Sequence, residues 1–569
     1  MTGIVARRAG GQTRRTGGQI LVDALKIHGV DTAFCVPGES FLPVLDALHD
    51  ARDTIRLIVC RQEGGAGNMT EAYGKLTGRP GICFVTRGPG GTHASIAVHT
   101  ASQDSTPMIL FIGQVATGAL GREAFQEIDF RHVFGHIAKW VAQIDRADRI
   151  PEMVSRAFHL AVSGRPGPVV LMLPEDMLSS TADVADAGPY RKVQAHPGAG
   201  DMMRLRDMLE QAARPLMLIG GGGWDAAACA DIQAFAAANK LPVASVFRRQ
   251  DLFDNRHEDY IGCAGFGIDP KLAQRIQDAD LILAVGPRLG EVTTRGYTLI
   301  DIPRPRQKLI HVHAGADELG HVYQGDLLIN SGMAEFAAAA RALAPISEPV
   351  WCAWTAAARA DYVTDLNPGP MPGDVDFGAI MVWLRNHLPA DTIVANGAGN
   401  YAVWVHRFYQ YTGFRTQLAP TSGAMGYGVP AAVAAKLVHP QRPVVCFAGD
   451  GCFLMHAQEL ATAAQYGAAV IFIVVNNGIY GSIRMHQERH YPGRVYGTGI
   501  ANPDFPALAA AYGAHGELVT RTADFAPAFE RARQAGRSAL IELRIDPDAI
   551  SPRTTLSAIR SQALAAQRA

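Results

Sequence analysis

The sequence has no cysteine pair, no long apolar run and no excess of either charge, and each absence excludes a class of protein. Its eight cysteines stand singly, without a CxxC pair or a metal-ligand spacing, which predicts reduced thiols in a cytoplasm rather than a disulfide framework or a zinc site. No apolar segment reaches the roughly 18 residues needed to cross a bilayer, and the amino-terminal residues lack the apolar core of a secretory signal. We therefore expect a cytoplasmic protein without a membrane segment.

Charge is balanced along the chain. Lysine and arginine number 52 against 53 aspartate and glutamate residues, a net charge of −1 at pH 7. Proteins that bind nucleic acid or anionic membranes through their charge carry a clear basic excess. The balance argues against both partners, and a small-molecule ligand is the expectation.

Length and hydrophobic patterning predict three α/β domains. The chain has 569 residues, of which 48% are hydrophobic, enough for several cores. Short apolar runs such as "MILFIGQ", "LILAVG" and "AVIFIVV" alternate with stretches of helical length, which is typical of doubly wound parallel sheets covered on both faces. Breaks rich in Pro, Gly and polar residues divide the chain into a disordered tail (1–16), three domains (17–180, 200–345 and 370–550) and a carboxy-terminal tail (551–569), either a helical arm or loose.

One apolar strand, "PVVCFA", ends abruptly in Gly449-Asp450-Gly451. Ligands of parallel sheets lie beyond the carboxyl ends of the strands, glycine permits a close backbone approach, and a carboxylate suits Mg²⁺. By itself the tripeptide is more often an ordinary turn. A helical segment and a second buried strand follow and end at Asn477, so Asp450 and Asn477 are expected at neighbouring strand ends. With the carbonyl of Ile479 they would supply half of an octahedral Mg²⁺ shell.

This pairing of GDG with NN resembles the motif of the thiamine diphosphate (ThDP) enzymes. The resemblance implies that Asp450 and Asn477 ligate Mg²⁺ through their side chains and Ile479 through its carbonyl, with the metal holding the coenzyme diphosphate. It also implies the fold, in which an amino-terminal pyrimidine-binding domain and a carboxy-terminal diphosphate-binding domain flank a Rossmann-like middle domain.

Glu63 is the candidate acid. It follows an apolar strand in "LIVCRQEGGAGNMTEAYGKLTG" and opens a helix, where the helix dipole alone also favours an acidic residue. This segment and the later "GREAFQEIDFRHVFGHIAKW" resemble the acetolactate synthase group of the ThDP family. The resemblance implies that Glu63 is the catalytic glutamate, acting on the aminopyrimidine of the coenzyme, with Phe125 and Gln126 on the substrate side of its thiazolium.

The third domain contains "APTSGAMGYGVPAAVAAKL", which resembles the coenzyme-clamping segment of the same group. A methionine in an apolar stretch is ordinarily a core residue. By resemblance, Met425 instead wedges between the two coenzyme rings, and the carbonyl of Gly423 accepts from the coenzyme amino group. Asn400 and Tyr401 replace a Gln and a His that contact the diphosphate in this group, and both can still hydrogen-bond phosphate. The same resemblance assigns the remaining coenzyme contacts to Gly38, Gly449, Gly451, Tyr480 and Gly481.

The substrate side departs from the acetolactate synthase pattern. The usual Pro-Gly-Gly-Ala beside the thiazolium is here Pro-Gly-Glu39-Ser40, so Glu39 either faces the substrate as an acid or base or turns outward as a helix-start acid. The tryptophan of the acceptor pocket is replaced by His486, in a cationic segment that includes Arg484. That segment is either a solvated face or a site for an anionic substrate.

The middle domain has glycine-rich turns but no complete GxGxxG nucleotide motif. The Gly-Met-His-Gly that contacts FAD in acetolactate synthases appears only as Gly262-Cys263-Ala264-Gly265, which makes FAD doubtful. A structural domain without a ligand is favoured, with a nucleotide or coenzyme A site as the alternative.

These features together predict an enzyme that uses ThDP and Mg²⁺ to break or form a carbon–carbon bond of a 2-oxo acid. One alternative is a 2-hydroxyacyl-CoA lyase or oxalyl-CoA decarboxylase-like activity, which shares the same parts. Another is a catalytically silent regulatory homologue. The resemblance further implies a homodimer or homotetramer with active sites at the subunit interface, because in this family the amino-terminal domain of one subunit faces the carboxy-terminal domain of another.

Overall fold

Three parallel sheets, each flanked by helices, build the protein. The computed structural model describes residues 14–568, and each of these sheets has six strands, which confirms the predicted three-sheet α/β architecture. The described residues form two compact units. One comprises residues up to 74, 79–102 and 106–193 and holds the first sheet, and the other comprises 75–78, 103–105 and 194 onward and holds the second and third sheets.

The first sheet belongs to the amino-terminal domain. This domain contains the strands β1 (Arg15–Thr16), β2 (Thr32–Cys35), β3 (Arg56–Val59), β4 (Gly81–Val85), β5 (Met108–Gln114), β6 (Trp140–Gln143), β7 (Pro168–Pro174) and β8 (Thr181–Ala182). Of these, β1 and β8 form a separate two-stranded sheet. The helices of the domain are α1 (Gly17–Ile27), α2 (Leu42–Asp50), α3 (Glu63–Thr77), α4 (Pro89–His93), α5 (Ser95–Asp104), α6 (Phe130–Phe134), α7 (Ile150–Val162) and α8 (Glu175–Ser179). The parallel strands run in the order β3-β2-β4-β5-β7-β6. Every residue of β5 and β7 is buried, which explains the unbroken apolar runs.

The second sheet belongs to the middle domain. Its strands are β9 (Pro215–Ile219), β10 (Val243–Val246), β11 (Tyr260–Ala264), β12 (Leu281–Val285), β13 (Lys308–His313) and β14 (Leu327–Asn330). Its helices are α9 (Ala199–Glu210), α10 (Ala226–Asn239), α11 (Pro270–Asp278) and α12 (Met333–Arg341), followed by α13 (Cys352–Asp365). The strand order β11-β10-β9-β12-β13-β14 is the Rossmann order.

The third sheet belongs to the carboxy-terminal domain. Its strands are β15 (Ile393–Asn396), β16 (Gln417–Leu418), β17 (Val444–Gly449), β18 (Ile471–Asn476), β19 (His515–Val519) and β20 (Ala539–Arg544). Its helices are α14 (Phe377–His387), α15 (Tyr401–Phe408), α16 (Gly428–Val438), α17 (Asp450–Leu454), α18 (Glu459–Tyr466), α19 (Gly481–His490), α20 (Phe505–Ala511), α21 (Phe525–Gln534) and α22 (Leu556–Arg568). The strands run in the order β16-β15-β17-β18-β20-β19.

Each sheet has a strand-order reversal beside the first of its parallel strands along the chain, and some of the predicted site residues lie there. The reversal falls between β2 and β4, between β9 and β12, and between β15 and β17. Loops leaving the carboxyl ends of the two strands at a reversal turn to opposite faces and leave a crevice between them, which is where open α/β sheets bind ligands. In the first and third sheets these loops carry Glu39 and Asp450 respectively.

Both predicted tails contain regular structure where the structure describes them. Arg15 and Thr16 form strand β1, which pairs antiparallel with β8, and the predicted tail up to residue 13 lies outside the described residues. The carboxy-terminal segment forms α22, the helical one of its two alternatives. No described helix is both long and apolar enough to cross a membrane.

Candidate functional site

Asp450 lies at the strand reversal of the third sheet, directly after β17. β17 and β18 are parallel neighbours, so Asp450 and Asn477 leave adjacent strand ends, as predicted. The Gly451 N–H donates to one Asp450 carboxylate oxygen and the Gly478 N–H to the other, each at 2.9 Å. Burial raises the pKa of Asp450 above its usual value. A buried carboxylate whose ionised form is disfavoured gains most from a bound cation.

Asn502 is a site residue that sequence reasoning missed. Its amide nitrogen donates to Asp450 Oδ2 at 2.8 Å and to Asn476 Oδ1 at 2.9 Å. Its side-chain oxygen is buried and has no partner within the described part of the chain. It lies in "GTGIANPDF", a loop after α19 that no motif or periodicity marks. Asn502 fixes the orientation of the Asp450 carboxylate.

The donors at this edge fit a hard divalent cation. Asp450 offers a carboxylate and Ile479 a backbone carbonyl, while the amide oxygen of Asn477 lies 3.2 Å from the Ile479 nitrogen. Oxygen ligands of this kind suit Mg²⁺, which typically binds through one or two carboxylates and leaves the remaining positions to phosphate and water. The residues present are therefore compatible with the predicted metal.

Close contacts explain the glycines on either side of Asp450. A Cβ atom on Gly449 would lie 3.1 Å from the Tyr401 ring, and one on Gly451 would lie 2.7 Å from the Tyr480 ring. The absent side chains therefore allow the start of α15 and the loop before α19 to close on Asp450.

Asn400 and Tyr401 lie on the other side of the strand reversal, at the start of α15. The Asn400 amide donates to the Ile550 carbonyl at 3.0 Å and accepts from the Ser482 hydroxyl at 2.6 Å. The Tyr401 hydroxyl is buried and accepts from the Gly397 N–H at 3.0 Å. Both side chains thus hold the loop in place, and the predicted phosphate contacts would involve the exposed edge of the same loop.

Met425 stands in the loop between β16 and α16. It is half-buried against the core of the carboxy-terminal domain, between Gly423 (φ +71°) and Gly426 (φ +82°), whose conformations favour glycine. The Gly426 N–H donates to Cys452 Sγ at 3.2 Å, and the Gly426 carbonyl lies 3.1 Å from His456 Nδ1. The loop is therefore anchored while Met425 keeps an accessible face, which suits the predicted wedge.

Glu63 begins α3 in the amino-terminal domain. Its side chain is only 14% exposed, and its Oε2 lies 2.9 Å from Nδ1 of His93 at the end of α4. His93 is 56% exposed. In the sequence, nothing in "GPGGTHASIAVH" marks this histidine as a site residue. A shielded acid beside a half-exposed histidine is suited to passing a proton between a ligand and solvent.

Arg87, which the sequence did not single out, orients Glu39. The two residues lie in the loops after β4 and β2, at the strand reversal of the first sheet. The Arg87 side chain is 9% exposed and donates to Glu39 Oε1 at 3.0 Å, to Glu175 Oε2 at 3.2 Å and to the Phe125 carbonyl at 3.2 Å. Glu39 begins a short 3₁₀ helix (Glu39–Phe41), which agrees with the alternative of an outward-facing acid at a helix start. Its carboxylate is 68% exposed, and Arg87 nevertheless holds it in one orientation.

Phe125 and Gln126 lie in the loop between β5 and α6. Phe125 is 74% exposed, and Gln126 has a φ of +64°. A Cβ atom on Gly88 would lie 2.8 Å from Gln126, and Glu127 accepts the N–H groups of Gly121 and Ala124 at 2.6 and 3.0 Å. The loop is therefore held by its own hydrogen bonds and presents Phe125 outward.

Ser40 and Gly38 belong to the packing beneath this surface. Ser40 is fully buried, and its Oγ lies 2.8 Å from Thr86 Oγ1. A Cβ atom on Gly38 would lie 2.5 Å from the Thr86 side chain. Ser40 is thus placed for packing rather than for substrate contact, which leaves Glu39 as the substrate candidate in this loop.

The cationic segment after the metal loop forms helix α19. Arg484 Nε donates to Glu488 Oε1 at 3.2 Å, so this charge is engaged within the helix. His486 is exposed and stacks on His490 with ring centroids 6.3 Å apart. Partial burial lowers the pKa of His486, and the charges of Arg489 and His490 lower it further. Both effects favour the uncharged form of the exposed His486 imidazole.

Glu488 connects α19 to the carboxy-terminal helix α22. It is fully buried, and its Oε2 accepts from Arg560 Nε at 2.8 Å and from the Gly493 N–H at 2.9 Å. The hydrogen bond from Arg560 is the largest cause that lowers the pKa of Glu488 to about 2. Its stabilisation is complete above the ordinary value of 4.5 and is lost only as the pH falls towards 2.

We expect Glu488→Gln to release α22 at neutral pH. The change leaves Arg560 and Arg484 without a carboxylate and should cost about 2 kcal/mol of local stability, because Arg560 is partly solvated. Trypsin digestion should cut after Arg560 faster than in the unaltered protein. Glu530→Gln, which breaks the exposed pair with Arg533, is the matched control, and equal cleavage rates in the two variants would contradict the assignment.

The crevice of the middle sheet is closed by its own glycines. A Cβ atom on Gly221, after β9, would lie 2.0 Å from the Gly286 carbonyl, and one on Gly286, after β12, would lie 2.3 Å from the Gly220 carbonyl. The two loops therefore meet backbone to backbone at the strand reversal, which favours the tight-turn explanation of the glycine run. Beside the partial FAD signature, a Cβ atom on Gly265 would lie 2.6 Å from the Phe247 ring.

Three family models match the chain, one on each sheet. They are described as thiamine pyrophosphate enzyme, N-terminal TPP binding domain (residues 15–133), thiamine pyrophosphate enzyme, central domain (202–340), and thiamine pyrophosphate enzyme, C-terminal TPP binding domain (397–543). The order of the matches is that of the three domains along the chain.

Curated relatives match over most of the chain. The acetolactate synthase large subunit of Corynebacterium glutamicum is 31% identical over 561 residues, covering 95% of this chain and 88% of the relative. That of Parasynechococcus marenigrum is 33% identical over 523 residues, covering 89% and 83%. The acetolactate synthase isozyme 2 large subunit of Escherichia coli is 28% identical over 533 residues, covering 93% and 95%. The similarity extends through all three sheets and confirms the resemblance inferred from the motifs.

Proposed function

Because the chain belongs to the thiamine pyrophosphate enzymes, in the acetolactate synthase-like group, we propose that it uses ThDP and Mg²⁺ to decarboxylate a 2-oxo acid and ligate the remaining fragment to an acceptor. The observation that carries this proposal is the placement of Asp450 and Asn477 at neighbouring strand ends. When bound, ThDP supplies a thiazolium that accepts the electrons released as the carbon–carbon bond breaks.

The residues of the chain bind and orient this coenzyme. Asp450, Asn477 and the Ile479 carbonyl would hold Mg²⁺, and Asn502 fixes the Asp450 carboxylate by its 2.8 Å hydrogen bond. Glu63 would hold a proton at its carboxylate for the pyrimidine ring of the coenzyme, and the adjacent His93 would pass protons between Glu63 and solvent. The remaining coenzyme contacts are Gly38, Asn400, Tyr401, Gly423, Met425, Gly449, Gly451, Tyr480 and Gly481.

The substrate side favours a more polar acceptor than the acetolactate synthase pattern provides. The Glu39 carboxylate is exposed and oriented by Arg87, and an exposed imidazole at His486 replaces the tryptophan of that pattern. Both groups accept hydrogen bonds. We infer an acceptor that carries a hydroxyl or another hydrogen-bond donor.

The active unit we propose is a homodimer or homotetramer in the cytoplasm, with active sites at the subunit interface. Exposed apolar side chains lie near the predicted half-sites, with Leu42 57% and Phe125 74% exposed in the amino-terminal domain and Met455 45% and Ile483 56% exposed in the carboxy-terminal domain. Surfaces of this kind are suited to burial by a second copy. None of the eight cysteines, all within the described residues, forms a disulfide, which is compatible with a reducing compartment.

Product analysis tests the reaction. Purified protein with ThDP, Mg²⁺ and pyruvate should form acetolactate or, with an added polar aldehyde, a mixed ligation product, identified by mass spectrometry. Reactions without ThDP, without Mg²⁺ and with the Glu63→Gln variant are the controls. If only larger 2-oxo acids are turned over, the proposed reaction type stands and the donor substrate is a larger 2-oxo acid than pyruvate.

Two results would replace the proposal. Coenzyme-dependent cleavage of a 2-hydroxyacyl-CoA or of oxalyl-CoA, with no turnover of 2-oxo acids, would establish the lyase or decarboxylase alternative. Tight binding of ThDP without turnover of either substrate class, together with full cellular function of Glu63→Gln, would establish the silent regulatory homologue.

A further inference from the structure

Arg248 is a buried cation of the middle domain that neither the motifs nor the proposed reaction accounts for. It lies in the turn after β10, is 5% exposed and has a φ of +61°. Two of its nitrogens donate to main-chain carbonyls, those of Pro420 and of Gly397, the latter at 2.9 Å. Its Nε has no partner in the region that the structure describes. The guanidinium charge is thus stabilised by the dipoles of two main-chain carbonyls and not by a hydrogen-bonded carboxylate within the described residues.

The two carbonyls belong to the two coenzyme loops of the carboxy-terminal domain. Gly397 opens the loop from β15 to Asn400, and Pro420 opens the loop from β16 to Met425. The Pro420 carbonyl also accepts the Gly423 N–H at 3.0 Å. One guanidinium therefore joins the loop predicted to contact the diphosphate to the loop predicted to clamp the rings.

Among residues 14–568, no carboxylate forms a hydrogen bond with Arg248, whose guanidinium donates to two carbonyls. Burial lowers the pKa of Arg248, and Asp104 acts on it only through the longer-range field, together with Tyr401, Cys452 and Tyr411. Burial and the charge of Arg248 also hold the pKa of the buried His406 well below its usual value, so this histidine is uncharged. A dry guanidinium without a bonded anion destabilises the free protein, and an anion arriving at the adjoining loops would offset that cost.

We propose that Arg248 is a positioning residue for the coenzyme, whose buried charge attracts the diphosphate and polarises the Gly397 peptide that borders the diphosphate loop. The inference rests on the proposed function, since it takes ThDP as the ligand. The middle domain would thus take part in coenzyme binding without binding a ligand of its own. This role also gives a physical reason for a charged side chain among neutral groups.

Arg248→Met tests the charge. Methionine has a similar length, is apolar and cannot attract an anion. We expect the Kd of Mg²⁺·ThDP, measured by quenching of tryptophan fluorescence, to rise by about tenfold or more. The Tm of the coenzyme-free protein should stay the same or rise, because a buried uncompensated charge has been removed, and the increase in Tm on adding ThDP should shrink. Thiamine monophosphate, which carries less charge, should lose less affinity than ThDP, and Arg248→Lys should recover most of the ThDP affinity.

Arg359→Met is the matched control. Arg359 also bridges main-chain carbonyls with one nitrogen, those of Asn255 at 3.0 Å and Tyr260 at 2.8 Å, but these belong to the middle domain and not to a coenzyme loop. Its variant should lower the Tm of the coenzyme-free protein and leave the ThDP-induced increase intact.

Three results would overturn the inference. In the first, Arg248→Met behaves as the Arg359 control does and lowers only the Tm of the coenzyme-free protein. In the second, ThDP and thiamine monophosphate lose equal affinity. In the third, Arg248→Lys binds ThDP as weakly as Arg248→Met. Each result would mean that Arg248 only stabilises the fold by joining the two loops. Failure of the proposed function has a different signature, since the unaltered protein would then show no ThDP-induced rise in Tm.

Discussion

Replacing Glu63 by Gln is expected to lower coenzyme-dependent turnover by about 10²- to 10⁴-fold, the range that a positioned acid or base contributes. Glutamine has the same shape and keeps a hydrogen-bonding group next to His93, whose Nδ1 lies 2.9 Å from Glu63 Oε2, so the fold should be retained. It cannot hold the exchangeable proton. The rate of product formation from the accepted 2-oxo acid, measured at saturating ThDP, gives the loss in kcat.

The control for this variant is Glu152→Gln in α7. Glu152 is 60% exposed and pairs with Arg149 on the surface, so its replacement should leave turnover and ThDP affinity unchanged. Glu63→Gln should still give a ThDP-induced rise in Tm. The assignment of Glu63 fails if its variant keeps turnover within about tenfold of the unaltered protein, because that residue would then act through packing alone.

Replacing Asp450 by Asn is expected to abolish the Mg²⁺ dependence of ThDP binding and to raise the Kd of ThDP by about 100-fold or more, since removing even a residue that supports a metal ligand typically costs 10- to 100-fold. The Asp450 carboxylate accepts the N–H groups of Gly451 and Gly478 and the Asn502 amide. An asparagine offers a single acceptor oxygen and no charge to this pocket of donors. Isothermal titration with ThDP, with and without EDTA, measures both quantities.

Asp391→Asn is the matched control for Asp450. Asp391 is exposed just before β15 in the same domain, so its variant should bind ThDP as the unaltered protein does and lose that binding in EDTA. An Asp450→Asn variant with the same affinity and the same sensitivity to EDTA would show that the metal is held elsewhere. The Asn502→Ala variant should fall between the two, because it loosens the Asp450 carboxylate without removing it.

The residues behind the two large effects lie at or beside the strand reversals of two sheets that share one strand order. Glu39 and Arg87 meet at the strand reversal of the first sheet, with Glu63 after the neighbouring strand β3, and Asp450 and Asn400 lie at the reversal of the third. The middle sheet has the same reversal, but there Gly221 closes the crevice against the Gly286 carbonyl. The sheet topology therefore offers three equivalent crevices, and the loop residues decide which of them is open to a ligand.

The structure places two predicted substrate residues, Ser40 and Arg484, in contacts within the protein. Ser40 was expected near the substrate from its place beside Glu39, yet its side chain points into the domain and its hydroxyl contacts Thr86. Arg484 was a candidate for an anionic substrate, yet its Nε donates to Glu488. Glu39 and Ser40 are adjacent in the sequence yet differ completely in burial, because a loop or helix turns successive side chains in different directions.

The sequence by itself determined the three parallel sheets and the candidates Asp450, Asn477 and Glu63. Apolar runs of strand length, the glycines around Asp450 and the interval to Asn477 are local patterns, and the geometry of a strand–helix–strand unit carries them to one sheet edge. Only the tertiary structure decided the partners of these residues. Asn502 beside Asp450, His93 beside Glu63, Arg87 beside Glu39 and Arg248 behind the coenzyme loops come from segments distant in the chain. Their contacts depend on how separate loops meet, which no local period or motif encodes.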